Sequence, residues 1–317
     1  MSITSENKWD LITSLRFVTW NWNCFSDNRN DRKAELLYLL SPDVIALQEV
    51  EEASLAALKI RFPDWTVVTP LEWGTTAWPK DDRGHELPGV ALLIAPGIQS
   101  EEFKAPSLDS WITTEGLKAN FQRKDDAFPE ARAFVGATLH FNGEKVTVIS
   151  AHPPHASSSD PDVRLWRVLR KRRTYEVLRQ WISKVHPLII GMDTNAWVDT
   201  NQPFEPYISN AVEPQNDIML FVRDGDVKDG GSSHGHLDAF RLWLKENHAE
   251  WNEIQKRRPF GPLATTYNRS MNHPRPERFG LVMVSPNIRV TSIDHGYEDS
   301  LAAGSDHGYV LCELELD

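Results

Sequence analysis

The sequence has few features of a secreted or membrane-bound protein. Its 317 residues include only two cysteines, Cys24 and Cys312, which are too few for a disulfide framework and are expected to be free thiols. No run approaches the roughly eighteen apolar residues that indicate a membrane helix. The start of the chain carries Glu6, Lys8 and Asp10, where a signal peptide would be apolar. We therefore expect a soluble, cytoplasmic protein with no membrane anchor.

The chain also lacks an excess of basic residues. Lysine and arginine number 34 against 45 aspartates and glutamates, which gives a formal net charge of −11 at pH 7. Such a molecule repels polyanions at long range, so nucleic acid binding would depend on a local basic patch or on a bound cation. The composition leaves a nucleic-acid substrate open without favouring it.

The organisation of the chain indicates one large domain over residues 1–317, with residues 1–14 expected to form a flexible tail. We find no internal repeat, low-complexity tract or interdomain linker. Hydrophobic periodicity predicts helices that begin near residue 31, extend from 160 to about 181, and lie around 237–247. It predicts strands at 15–22, 43–47, 65–68, 89–95, 133–140, 145–150, 187–191, 279–284, 288–293 and 309–316. Extensive β-sheet follows from this pattern.

Short polar motifs stand beside several of these predicted strands. Strand ends on one side of a sheet converge, so their side chains are expected to meet. Phosphodiester cleavage needs a hard metal held by carboxylate and amide oxygens, a base for the attacking water, and donors for the charge that develops on phosphate. Together, the motifs supply all of these groups. They are Trp20-Asn21-Trp22-Asn23, Leu47-Gln48-Glu49-Val50, Ala151-His152-Pro153, Gly191-Met192-Asp193-Thr194-Asn195 and Gly304-Ser305-Asp306-His307.

In their residues and in their order along the chain, these motifs resemble the endonuclease/exonuclease/phosphatase superfamily, whose best-known fold is that of DNase I. The resemblance spans nearly the whole chain. It implies a four-layer α/β sandwich, in which two mixed β-sheets pack face to face with helices on the outer faces. It further implies a Mg²⁺-dependent phosphodiesterase or nuclease, with Mn²⁺ as a substitute ion and DNA as the favoured substrate.

The resemblance assigns four residues to the metal side of the site. Glu49 matches the principal metal ligand, and Asp306 matches a second carboxylate. Asn21 and Asn23 match residues that help to hold metal or phosphate. The alternative for Glu49 is an ordinary surface carboxylate.

The resemblance assigns four further residues to catalysis. Asp193 and Asn195 match a Gly-Asp-x-Asn motif, in which the aspartate acts on the attacking water and the asparagine orients the phosphate or the aspartate; the alternative is an Asx turn. His307 matches a histidine that contacts phosphate and shares in water activation, the alternative being a packed or solvated residue. His152 matches the histidine that donates to a non-bridging oxygen or to the leaving group, a role suited to an imidazole.

One position departs from the family pattern. Near the end of family members, a strand carries Arg, an apolar residue and Asp, and this Asp orients the histidine of Ser-Asp-His. The corresponding run is Arg278-Phe279-Gly280, so Gly280 stands where the family has Asp. In the comparable serine-protease case the loss is about 10⁴-fold in turnover. The sequence leaves open an inactivating substitution of an active parent, which we favour, a naturally weakened enzyme, or a replacement carboxylate from Glu277, Asp294 or Asp299.

The predicted helix after His152 is strongly basic, which bears on the substrate. Its basic residues are expected to track phosphates, and Trp197 is expected to offer a stacking surface for an unpaired base. The alternative is a solvated helix face that forms ion pairs with an acidic body. The residues assigned to phosphate contact are Arg164, Arg167, Arg170 and Lys171.

Other functions remain open from the sequence. One is a phosphatase or phosphodiesterase that acts on a lipid, an inositol phosphate or a small nucleotide, although the loop at residues 72–87 is too charged for membrane insertion. Another is a nucleic-acid-binding module that has lost turnover through Gly280. His234 and His236 with Asp238 are interpreted as loop residues, because one turn with no fourth ligand is a poor metal cage.

Overall fold

The structure is a computed structural model that describes residues 14–23, 29–69, 88–104, 133–155, 161–196, 234–268 and 276–316. Its helices are α1 (Asn30–Leu39), α2 (Glu52–Arg61), α3 (Pro161–Ile182), α4 (Ala239–Glu246), α5 (His248–Arg257) and α6 (Tyr297–Ala303). Within these ranges no helix is both long and apolar enough to span a membrane.

Two six-stranded sheets form the centre of the fold. The first contains β1 (Leu15–Asn21), β2 (Val44–Val50), β3 (Thr66–Val68), β4 (Gly89–Ile94), β13 (Ile288–Gly296) and β14 (Tyr309–Leu316), in the order β13-β14-β1-β2-β4-β3. The second contains β5 (Gln99–Glu102), β6 (Phe134–Phe141), β7 (Glu144–Ala151), β8 (Leu188–Asp193), β9 (Leu237–Asp238) and β12 (Gly280–Val284), in the order β5-β6-β7-β8-β12-β9. A small hairpin pairs β10 (Tyr267–Asn268) with β11 (Pro276–Glu277).

Both sheets are mixed, because each contains one parallel pair within otherwise antiparallel strands. In the first sheet β1 and β2 are parallel, and α1 lies between them in the chain. In the second sheet β7 and β8 are parallel, and α3 lies between them. A helical crossover is the usual connection between parallel neighbours. The carboxyl ends of two parallel pairs are thereby available to build a site.

The core lies between the sheets, as the alternation along β1 illustrates. Leu15 and Phe17 pack with residues of the second sheet, whereas Val18 and Trp20 pack on the opposite face with α1. The outer face of the second sheet is covered by buried residues of α3, such as Leu178. Helices therefore lie outside two packed sheets, which confirms the α/β sandwich predicted from the sequence.

Several elements were not predicted from the sequence. The helices α2, α5 and α6 and the short strands β5, β9, β10 and β11 were missed. α2 begins two residues after β2 ends and buries Leu55 and Leu58. No turn residues separate the strand from the helix, so nothing in the sequence signals the start of α2. Short edge strands carry too few residues to show a period of two.

The interpretation of His234, His236 and Asp238 as loop residues holds for the two histidines, which lie in no helix or strand, but is wrong for Asp238. Both histidines are fully buried, and their rings stack with centroids 5.5 Å apart. Asp238 lies in β9 and accepts two hydrogen bonds from the buried Arg278 guanidinium, at 2.6 and 2.8 Å. Burial lowers the pKa of His236 to about 4. This cluster is a polar part of the core.

The thiol of Cys312 is free and buried in β14, as predicted. Its pKa is raised by burial, which keeps it protonated and unreactive. Cys24 lies outside the described residues.

Candidate active site

The predicted site residues converge at one edge of the sandwich. Asn21 ends β1, and Asp193 ends β8. His152 follows β7 directly, and His307 stands two residues before β14. Asn21 Nδ2 donates to Asp193 Oδ2 at 2.6 Å, which joins the first sheet to the second. The site is therefore assembled across the two sheets.

Asp193 is the centre of this arrangement. Its side chain is only 1% exposed, with Oδ2 3.5 Å from His307 Nδ1 and 3.8 Å from His152 Nε2. Its other oxygen, Oδ1, accepts a hydrogen bond from the backbone N–H of Asn195 at 2.8 Å. One buried carboxylate thus faces both histidines.

The surroundings of Asp193 favour its ionised form. Burial alone would raise the pKa of this carboxyl group, but positive charge on His307 and His152 and hydrogen bonds from Asn195 and Asn21 lower it below its ordinary value. A carboxylate that stays ionised can accept a proton from water or hold an imidazolium in place.

His152 is held in one tautomer by Asn195. The Asn195 side-chain nitrogen lies 3.0 Å from the Pro153 carbonyl oxygen, which can only accept, and 2.8 Å from His152 Nε2. Because the amide nitrogen donates to both, Nε2 accepts and the proton of the neutral ring is on Nδ1. Glu49 Oε1 lies 3.5 Å from the same Nε2, where it would stabilise the ring once protonated.

Three site residues adopt an uncommon backbone conformation. Asn23, Glu49 and Asn195 have φ values of 50°, 52° and 48°, in the left-handed region that non-glycine residues rarely occupy. Glu49 lies where the pairing of β2 with β4 shifts register between Leu47 and Val50. Such bulges re-aim side chains near active sites, and strained backbone of this kind is concentrated at functional positions.

Asp306 lies on the solvent side of the site. Its carboxylate is 49% exposed and lies 3.9 Å from His307 Nε2. Asn23 Nδ2 donates to Asp306 Oδ1 at 2.6 Å, so this asparagine orients the carboxylate. The backbone N–H of Asn23 in turn donates to Asn21 Oδ1 at 2.9 Å.

A buried polar network beneath the site was missed by the sequence analysis. Gln48 Nε2 donates to Ser150 Oγ at 3.0 Å and to Thr19 Oγ1 at 3.1 Å, which ties β2 to β7 and to β1. Ser150 Oγ donates to the Leu47 carbonyl at 2.8 Å. A glutamine next to Glu49 in a strand otherwise made of apolar residues was the available indication.

The structure shows what surrounds His307 in the absence of an aspartate at position 280. Two carboxylates lie near its ring: Asp306, 3.9 Å from Nε2, and Asp193, 3.5 Å from Nδ1, which is the residue opposite Gly280 across the β12–β8 pair. The ring of Tyr267 packs on His307 with centroids 4.7 Å apart. Of the three replacement carboxylates considered from the sequence, Asp294 accepts a hydrogen bond from Tyr309 at 3.3 Å instead.

One group of three residues has the donors for a divalent cation. Glu49, His152 and Asp193 each offer one ligand atom, and these atoms lie within 4.8 Å of one another. Two of the three donors are carboxylates, which suit a hard ion such as Mg²⁺. His152 Nε2 is already hydrogen bonded to Asn195, so the carboxylates are the better ligands. The donor set fits the expected metal.

Only some of the basic residues of α3 that were predicted to contact phosphate are accessible to a ligand. Arg164 is exposed and Arg167 half-buried, as a phosphate contact requires. Lys171 is only 1% exposed and donates to the Asn195 carbonyl oxygen at 2.5 Å, so it faces the protein interior and not a surface ligand. The side chain of Arg170 and the whole of Trp197 lie outside the described residues.

The fold and the cluster of carboxylates and histidines define a hydrolase of phosphoric esters. The sequence model of the Endonuclease/Exonuclease/phosphatase family matches residues 18–307. The chain therefore belongs to this family, as its motifs predicted. No curated protein matches the chain.

Solved structures share the fold. D. rerio TDP2 humanized by 14 mutations has a TM-score of 0.57 at 16% identity, over 96% of this chain and 99% of that one. D. rerio TDP2 complexed with a single-strand DNA product gives the same values. The Endonuclease/Exonuclease/phosphatase protein of Bacteroides vulgatus has a TM-score of 0.56 at 15% identity, over 96% of this chain and 100% of that one. At these identities the likeness concerns the fold.

Proposed function

We propose that the protein is a Mg²⁺-dependent phosphodiesterase that hydrolyses phosphodiester bonds in DNA. The observation that carries the proposal is the buried carboxylate of Asp193, placed between the two histidines and beside Glu49. A structural aspartate needs only its hydrogen-bond partners, whereas two histidines facing one carboxylate provide an acid and a base at one place.

In this proposal Glu49 and Asp306 hold the cation, helped by Asn21 and Asn23. When bound, Mg²⁺ would neutralise charge on the phosphate oxygens and act as a Lewis acid. Mn²⁺, another ion suited to oxygen ligands, would substitute for it. The orientation of Asp306 by Asn23 at 2.6 Å supports its assignment to this side of the site.

The remaining residues handle protons. Asp193 together with His307 takes the proton from the attacking water, and the close packing of Tyr267 on His307 limits the positions open to that ring. His152, once protonated, donates to the charge that grows on the phosphate or the leaving oxygen. Asn195 orients Asp193 through its backbone N–H and holds His152 through its side chain, both at 2.8 Å.

Two observations support DNA as the substrate. Exposed Arg164 and half-buried Arg167 offer cations near the start of α3, the helix that follows His152 in the chain. A structural neighbour, D. rerio TDP2, was solved with a single-strand DNA product. The net charge of −11 limits the reach of any basic patch, so affinity should fall steeply with salt. The cytoplasmic location expected from the sequence stays a prediction.

The test is hydrolysis measured with Mg²⁺, with Mn²⁺ and with a chelator. The substrates are single-stranded DNA, duplex DNA, RNA, a phospholipid and an inositol phosphate. We expect metal-dependent cleavage of DNA that falls by orders of magnitude in Asp193→Asn and His152→Ala, and a higher metal requirement in Glu49→Gln. Cleavage only of the lipid or inositol phosphate would show that DNA is not the substrate. Full activity of Asp193→Asn would reject the proposed active site.

A further inference from the structure

Two lysines of the chain are buried beside the site. Lys33 on α1 is 0% exposed and Lys171 on α3 is 1% exposed. A buried ammonium group is unfavourable unless it is hydrogen bonded, so the partners of each lysine are informative. Neither belongs to the metal and catalytic groups assigned above.

Both lysines bind the backbone carbonyl of a site asparagine. Lys33 Nζ donates to the Asn23 carbonyl at 3.0 Å and to the Trp22 carbonyl at 2.6 Å. Lys171 Nζ donates to the Asn195 carbonyl at 2.5 Å. The two contacts are made from helices on opposite outer faces of the sandwich.

The two asparagines share an unusual conformation. Asn23 and Asn195 both lie two residues past a strand end and have φ values of 50° and 48°. At this point the chain has left the sheet ladder, so the carbonyl of each half-buried asparagine needs a donor other than a neighbouring strand. Each lysine supplies that donor, which fixes the left-handed turn.

The turns aim the side chains of the asparagines at different groups. Asn23 Nδ2 donates to Asp306 Oδ1 at 2.6 Å, on the metal side. Asn195 Nδ2 contacts His152 Nε2 at 2.8 Å, on the acid–base side. A change at either lysine is therefore transmitted to a separate part of the site.

We propose that Lys33 and Lys171 are positioning residues, each of which holds one left-handed asparagine so that its amide orients a functional group. Lys33 acts through Asn23 on the carboxylate of Asp306, and Lys171 acts through Asn195 on the imidazole of His152. The functional meaning of these contacts rests on the proposed phosphodiesterase activity. The positioning itself is a property of the folded chain.

The test compares Lys33→Met and Lys171→Met, which remove the donor, with Lys33→Arg and Lys171→Arg, which keep it. Lys145→Met is the matched control, because Lys145 is 63% exposed and pairs only with the exposed Glu101 in the contacts described. Three quantities are measured: the Mn²⁺ dissociation constant by calorimetry, the ¹H–¹⁵N spectrum of the histidine rings at fixed pH, and kcat and KM. Circular dichroism reports folding.

The expected effects differ between the two lysines. Lys171→Met should shift the His152 ring resonances and lower kcat by about 10- to 100-fold, the usual effect of losing an orienting partner, with little change in KM or in Mn²⁺ binding. Lys33→Met should weaken Mn²⁺ binding by about 10-fold or more and leave the His152 resonances in place. The Arg variants should recover most of each loss, and Lys145→Met should match the parent.

Equal effects of both Met variants on both readouts would indicate general loosening and overturn the proposal. So would an unchanged His152 spectrum in Lys171→Met, or unchanged Mn²⁺ binding in Lys33→Met. If a Met variant does not fold, the Gln variant, which keeps a shorter neutral donor, is judged by the same readouts. If the parent cleaves no substrate, the proposed function fails, while the spectrum and Mn²⁺ binding still decide the positioning.

Discussion

Restoring an aspartate at position 280 should raise turnover at the expense of stability. Gly280 is opposite Asp193 in the β12–β8 pair, and in the contacts described the carboxylate nearest to His307 is that same Asp193, at 3.5 Å. This separation is long for a hydrogen bond, so the orientation of the ring is incomplete. Gly280→Asp would add a carboxylate at the strand position where the sequence resemblance implies the orienting aspartate of the family.

The contacts around Gly280 determine how much stability Gly280→Asp should lose and how much turnover it should gain. A Cβ at Gly280 would lie 3.2 Å from Val310 Cγ2 and 3.3 Å from Thr266 Cγ2, so both neighbours must shift slightly, at a cost of about 1–3 kcal/mol in stability. The gain from an orienting carboxylate reaches about 10⁴-fold in turnover in the serine-protease case. Because Asp193 already supplies part of that role, we expect a rise in kcat of about 10-fold or more, with 10⁴-fold as the upper limit.

Steady-state kinetics and urea unfolding would measure the two effects. Gly280→Ala introduces the same Cβ without a carboxylate, and Gly280→Asn introduces a similar shape without charge. All three variants should lose comparable stability, and only the aspartate should gain turnover. A turnover for Gly280→Asp no higher than that for Gly280→Asn would refute the assignment of this strand position.

Two further predictions concern the core. Gly191→Ala should reduce both stability and turnover. The added Cβ would lie 2.6 Å from Thr19 Cβ and 2.9 Å from Ala46 Cβ of the other sheet, so it would force apart the two sheets that join at Asp193. Ala46→Gly in the same chain should partly restore stability in unfolding assays and turnover in activity assays. Burial lowers the pKa of His236 from 6.5 to about 4. Between these pH values the His236 ring is protonated in the unfolded chain but not in the folded chain. The free energy of unfolding should therefore fall as pH decreases from about 6.5 to 4, by up to about 3 kcal/mol. His236→Asn should flatten this part of the pH–stability curve, whereas the control His140→Asn, at a side chain that is 36% exposed, should not. An unchanged slope in His236→Asn would reject the explanation.

The sequence was most informative where local pattern and chemistry coincide. Asp193 and His152 follow apolar strands directly, so their placement at a sheet edge could be predicted. The bend that aims Glu49 could not, because it depends on a register shift against β4, a strand about forty residues away. Pairing between such distant strands cannot be predicted from the residues next to Glu49 in the sequence.

Buried polar residues were the main failure of prediction. Lys171 stands in a run of basic residues, and composition suggested an exposed face, although Lys171, Tyr175, Leu178 and Ile182 are spaced as one buried side of α3. Asp238 followed a glycine-containing stretch and was assigned to a loop. Its partner Arg278 is forty residues further along the chain, so only the fold reveals the pair.

The site depends on the packing of two sheets and not on either one alone. Asn21 of the first sheet binds Asp193 of the second at 2.6 Å, and Gln48 of the first binds Ser150 of the second at 3.0 Å. Any rotation or separation of the sheets therefore moves Asn21, Glu49 and His307, at the first sheet, relative to His152 and Asp193, at the second. Gly191, where the sheets approach too closely for a Cβ, sets their distance directly beneath Asp193. The same interface that buries the apolar core thus determines the geometry on which the proposed chemistry relies.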